Sequence, residues 1–84
     1  MKIKTLLKNC KVVGWLWITL RYYVSEFDEP DLSSMEQIDI DATERDDFDN
    51  FINVYGNSEI DEWQIESDHG QTLMIFDLKK LVKE

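Results

Sequence analysis

Residues 15–24, WLWITLRYYV, read with a period of two. Leu16, Ile18, Leu20, Tyr22 and Val24 alternate with Trp15, Trp17, Thr19, Arg21 and Tyr23. Successive side chains of an extended chain point to opposite faces, and aromatic and β-branched residues suit a pleated backbone. The segment predicts a long strand with one aliphatic face and one face that carries indoles and polar groups. Such a strand must sit inside a sheet, with other elements packed on its aliphatic side.

The flanking sequence supplies those elements. Ile3, Leu6, Leu7 and Cys10 recur at i, i+3, i+4 and i+7, which predicts a short first helix ending before Gly14. SEFDEPDLSS, with Pro30, serines and acids, reads as a loop. MEQIDID, residues 35–41, alternates again with Ile38 and Ile40 on one face and predicts a second strand antiparallel to the first. Phe48, Phe51, Ile52 and Tyr55 then form a stripe at helical spacing, opposite Asp46, Asp49, Asn50 and Asn53. Thr43 is placed to cap this helix by way of the Asp46 amide, and Gly56 to close it in the left-handed region. Asp46 and Asp47 suit the first turn, where the helix dipole favours negative charge.

Residues 60–77 read as a hairpin. Asp68-His69-Gly70 fits a type I turn followed by a left-handed glycine, which sets Ser67 opposite Gln71. That register pairs Ile65 with Leu73 and Trp63 with Ile75 as an apolar face, and leaves Met74 and Phe76 on the other. Leu78, Leu81 and Val82 after Asp77 predict a short terminal helix. The expected order is α-β-β-α-β-β-α. It describes an α+β domain spanning residues 1–84, with an antiparallel sheet and helices packed on one face. Strand order does not follow from the sequence.

Composition narrows the function classes. With 43% apolar residues and ten aromatics among 84, the chain can bury a core. Its one cysteine, Cys10, forms no internal disulfide, which suits a reducing cytoplasm. The apolar run at residues 12–20 is too short to span a bilayer, and no cleavage-site pattern follows it. We therefore expect no membrane partner.

The net charge of −9 is unevenly spread. Residues 1–25 hold five bases and no acids, residues 26–68 hold sixteen acids against Arg45 alone, and the remainder is close to neutral. Binding nucleic acid directly through Lys4, Lys8 and Lys11 would have to overcome that anionic block, so no direct nucleic-acid contact is expected. One His and one Cys far apart make a poor start for a zinc site. Residues 39–50 lack the glycine and the final bidentate Glu of a calcium loop. His69, the sole histidine, falls at a turn, and the three glycines are isolated. Neither a nucleophile–base pair nor a phosphate-cradling loop emerges, so we expect no metal, no cofactor and no enzymatic activity.

What remains is the acidic block itself. It serves solubility in any small protein. A folded surface with regularly spaced carboxylates also resembles a phosphate backbone in charge, and attracts a basic nucleic-acid-binding groove strongly and fast. In format alone, the chain is similar to the small acidic single-domain proteins that inhibit restriction, CRISPR nucleases (anti-CRISPR proteins) and glycosylases in phage, and to the immunity partners of nuclease toxins. That resemblance implies a binding protein that occludes a nuclease or another nucleic-acid-binding protein. The candidate partner-binding residues are the acids Asp28, Glu29, Asp31, Asp46, Asp47 and Asp49, with Trp15, Trp17 and Tyr23 as anchors. The other reading is a housekeeping or assembly module that homodimerises through the open aromatic face of the sheet. The chain is thus expected as a monomer or a homodimer.

Overall fold

The computed structural model describes residues 1–12, 14–25 and 33–84. Its elements are α1 (Ile3–Leu6), β1 (Trp15–Ser25), β2 (Ser33–Asp41), α2 (Arg45–Tyr55), β3 (Glu59–Asp68) and β4 (Gln71–Lys80). The four strands form one sheet in the order β2-β1-β4-β3. β1 pairs antiparallel with β2, β3 pairs antiparallel with β4, and the two central strands β1 and β4 run parallel. The architecture is α+β with a mixed sheet, not the wholly antiparallel one expected from the sequence. Two hairpins lie side by side, and α2 carries the chain from one edge strand to the other. No helix among the described residues is long and apolar enough to cross a membrane.

β1 divides its faces as its alternation predicts. Leu16, Ile18 and Leu20 are buried with Met74, Phe76 and Leu78 of β4, Ile60 of β3, Ile3 and Leu7 near the N-terminus, and Phe51 of α2. Phe48, Ile52 and Tyr55 pack against that cluster, and the Phe51 and Tyr55 rings lie 6.0 Å apart. Ile38 and Ile40 of β2 join from the sheet, opposite Leu20 and Ile18. The short dimension of the molecule is 18 Å. That accommodates one sheet and one helical layer, each about 10 Å thick, and among the described residues no element covers the other sheet face, which is bare in that sense.

The second hairpin departs from the expected register. Asp68 pairs with Gln71, so the loop holds only His69 and Gly70, with φ of 48° and 76°. Two consecutive positive φ angles make a type I′ turn, whose twist matches that of the flanking strands. Histidine reaches the left-handed region more readily than most residues, so the pair suffices without Asp68. The register moves by one residue: Ile65 faces Met74 and Trp63 faces Phe76. A one-residue slip turns every side chain of the strand over. Met74 and Phe76 are therefore buried, while Leu73 and Ile75, expected inside, lie on the bare face. Trp63 and Ile65 share the core-side face but stay 49% exposed, because β3 is an edge strand and every residue from Asp61 to Asp68 is exposed.

The expected helices also change. α1 is a single turn, although its apolar face holds: Ile3 and Leu7 are buried, and Leu6 and Cys10 partly so. The chain before it is drawn to the start of β3, through Ile60 N to Met1 O at 2.8 Å and Ile3 N to Ser58 O at 3.1 Å. Residues 78–80 continue β4 rather than start a third helix, since the inward alternation of Met74 and Phe76 extends to Leu78, opposite Ile60. The last residues form a strap. The fully buried Ser58 hydroxyl donates to Val82 O and accepts from Val82 N, at 3.1 and 2.8 Å, and Glu84 N donates to Val54 O. α2 begins after Glu44 with no side-chain cap. The Thr43 hydroxyl instead accepts from Leu16 N at 3.0 Å, tying the helix start to β1. Gly56 is right-handed, with φ of −60°, so it is not a left-handed cap. Its reason is close approach: a Cβ there would collide with the Ile52 carbonyl oxygen and lie 3.1 Å from Lys4 Cβ.

Gly14 has both constraints at once. Its φ is 94°, and an added Cβ would come within 2.2 Å of the Gly70 carbonyl oxygen, which accepts from Trp15 N. Gly70 has positive φ but open space around it. Gly70→Ala is therefore expected to cost about 1 kcal/mol from backbone strain alone. Gly14→Ala should cost clearly more in the same chemical denaturation series, and equal costs would show that the approach of the two strands tolerates a side chain. Phe51→Ala, at a ring 1% exposed, should cost about 3–5 kcal/mol, visible as a large drop in melting temperature.

Candidate functional site

The bare sheet face is built by the odd-numbered residues of β1 and β4 and the residues paired with them. Trp15 pairs with Gln71, Trp17 with Leu73, Thr19 with Ile75 and Arg21 with Asp77 across the parallel strands. Toward β2, Trp17 faces Asp41, Thr19 faces Asp39, Arg21 faces Gln37 and Tyr23 faces Met35. Toward β3, Leu73 faces Glu66, Ile75 faces Gln64 and Asp77 faces Glu62. Trp15, Trp17, Tyr23 and Met35 stand out as large exposed apolar side chains, with Trp15 at 68% and Trp17 at 48%.

A polar belt crosses the middle of this face. Arg21 Nε donates to Asp77 Oδ1 at 2.6 Å and Arg21 Nη2 donates to Asp77 Oδ2 at 2.9 Å. Hydrogen bonding to Asp77, and then its charge, raise the Arg21 pKa above the ordinary value. Thr19 Oγ1 donates to Asp39 Oδ1 at 2.8 Å, and Gln37 Nε2 donates to both Asp39 oxygens at 3.0 Å. Arg21 and Asp77 are thus committed to each other, and Asp39 is committed to its neighbours. The belt divides the expected anchors. Trp15 and Trp17 lie at one end of β1, and Tyr23 lies six residues beyond Trp17, roughly 20 Å along an extended strand.

At the tryptophan end the surface is concave. A groove of about 820 Å3 runs from Trp15 and Trp17 past the end of β2 to the start of α2 on one side and the β3–β4 turn on the other. It is lined by the carboxylates of Asp41, Glu44, Asp47, Glu66 and Asp68 and by His69, whose Nε2 lies 3.2 Å from Asp68 Oδ1, and among the described residues neither lysine nor arginine lines it. Among the described residues no three potential metal ligands converge to hold an ion. The acids are arrayed around the indoles rather than gathered at a point.

The sequence-predicted site residues therefore separate. Trp15, Trp17 and Asp47 meet at the groove. Tyr23 is exposed but distant. Asp46 is exposed on α2, and Asp49, on the same helix, pairs with Arg45 at 3.6 Å and lines a second groove edged by Lys4, Lys8 and Lys11. Asp28, Glu29 and Asp31 lie outside the described residues. Four further carboxylates, Asp41, Glu44, Glu66 and Asp68, line the groove and were not among the expected partner-binding residues. The alternation of β3 already puts Glu66 on the face opposite Trp63 and Ile65, and the two-residue His69-Gly70 turn brings Leu73 to that face beside it. Comparison with protein-family models, with curated proteins and with solved structures finds no match.

Asp41 has a local signature that can be measured. The Thr43 side chain and then the Thr43 amide, which donates to Asp41 Oδ1 at 3.0 Å, hold its carboxyl below the usual carboxylate range. A depressed folded-state pKa stabilises the fold above the unfolded value of about 3.9, and that stabilisation is lost as pH falls through the folded value. Asp41→Asn should therefore destabilise at neutral pH and flatten the acid side of a stability profile measured by denaturant titration. A parallel offset at every pH would show that the ionised carboxylate contributes nothing.

Proposed function

We propose that this protein is a non-enzymatic binding protein that occludes a basic, nucleic-acid-binding surface on another protein, such as a nuclease. The observation that carries this reading is the tryptophan groove. Two exposed indoles stand among carboxylates that no lysine or arginine of the groove neutralises. Interface energy concentrates in buried aromatic anchors, while surrounding charge sets the approach rate and the choice of partner. A bare sheet face with this composition offers both. The carboxylates of Asp47 and of the 26–32 segment steer the basic partner, and Trp15 and Trp17 anchor it. The exposed aromatic face also suits the second reading, a homodimer formed through the sheet. A net charge of −9 opposes that association, because two copies would bring like charges together.

The test is kinetic. A partner recovered at low salt should lose its bound nucleic acid when this protein is added. Changing Asp28, Glu29, Asp31 and Asp49 to Asn or Gln should leave the fold intact, slow association and make its salt dependence shallower. Trp15→Ala or Trp17→Ala should act mainly on dissociation. An unchanged association rate and salt slope in the four-site variant would reduce those acids to solubility charges. A salt-resistant homodimer in sedimentation would favour the assembly reading instead.

A further inference from the structure

The groove also specifies what part of a partner it accepts. Its lining combines the apolar Trp15, Trp17 and Leu73 with carboxylates from three separate elements: Asp41 at the end of β2, Asp47 on α2 and Glu66 on β3. Those acids do not converge as ligands of a single ion. An occupant must therefore be flat enough to lie on an indole, positively charged, and wide enough to meet more than one carboxylate. We propose that the groove seats an arginine side chain presented by the partner protein, with its guanidinium stacked on the tryptophan pair and hydrogen-bonded to the lining carboxylates. This inference rests on the binding role proposed above and names the group recognised.

Arginine meets the requirements better than lysine. Its guanidinium is planar, is weakly hydrated, stacks on aromatic faces and presents a fork of donors that matches carboxylates. An ammonium is a compact, strongly hydrated point charge that gives up more hydration to lie on an indole. Among the described residues no lysine or arginine lines the groove, and its one histidine, His69, lies at the turn with Nε2 3.2 Å from Asp68 Oδ1. Arg21 is held by Asp77, Arg45 lies 3.6 Å from Asp49, and Lys4, Lys8 and Lys11 edge the second groove.

The test uses the full chain and short soluble peptides. The protein has three tryptophans, so its indole N–H groups give three NMR signals, and Trp63 serves as an internal control because it lies on the opposite sheet face. A glycine–serine peptide with one central arginine should shift the Trp15 and Trp17 signals saturably and leave Trp63 in place. The same peptide with citrulline, of equal shape but neutral, should shift nothing. A lysine peptide should bind about threefold or more weakly, consistent with the loss of stacking. Glu66→Gln and Trp17→Ala, both at exposed positions, should each weaken arginine binding about fivefold or more while the rest of the spectrum stays dispersed.

Equal shifts from citrulline, movement of Trp63 with the others, or unchanged affinity in both variants would overturn the proposal. So would sedimentation showing that a second copy fills the groove, with association abolished by Lys4→Ala, Lys8→Ala and Lys11→Ala together. The outcomes also separate the two readings. Displacement of nucleic acid from a partner without any arginine response removes this inference alone. An arginine response without displacement keeps the groove assignment and removes the occlusion role.

Discussion

β1 and β4 run side by side at the centre of the sheet, and every surface described above depends on that parallel pair. They are separated by the whole middle of the chain, with paired positions 56 residues apart, so the pairing closes a long loop. Three features hold it in register. Trp15 N donates to Gly70 O, Gly14 lies too close to the Gly70 backbone to carry a side chain, and Arg21 grips Asp77 with two hydrogen bonds at the other end. The aliphatic halves of both strands then face the helices, and Phe51, Phe76, Ile18 and Leu20 close the core between them.

From that arrangement the asymmetry of the molecule follows. The hairpins place β2 and β3 at the edges, and the single helical layer covers only one face. Trp15 and Trp17 are left on the other, beside the start of β4 and the turn that precedes it. The carboxylates that end β2, begin α2 and end β3 all arrive at this corner because those element ends meet there. Each belongs to a different stretch of sequence, and none is adjacent to the tryptophans along the chain.

The acidic block has a structural side as well. Asp39 and Asp41 are bound to Thr19, Gln37 and Thr43, and Asp77 to Arg21, so part of the charge is used within the fold. Glu44, Asp46, Asp47, Glu66 and Asp68 are exposed. Repulsion among exposed like charges works against a compact small domain.

Much of this protein is legible in its sequence. The alternation at residues 15–24 determines β1 and both of its faces, including the exposure of Trp15, Trp17 and Tyr23. The stripe of Phe48, Phe51, Ile52 and Tyr55 determines α2, and the alternation in residues 35–41 determines β2 and its pairing. These are local patterns whose period alone identifies the buried side. Tertiary structure decided the rest, and in each case the reason is a partner distant in sequence. A two-residue His69-Gly70 turn and a three-residue one with Asp68 suit the same local residues. Packing Met74 and Phe76 under the helices settles the register and moves Leu73 and Ile75 to the bare face. Leu78 has helical neighbours in sequence but a strand neighbour, Ile60, in space, so β4 continues where a helix was expected. The parallel pairing of β1 with β4 has no local signature, because it is made by strands that only the folded chain brings together. The groove, assembled from the ends of four strands and a helix, is legible only after that pairing is known.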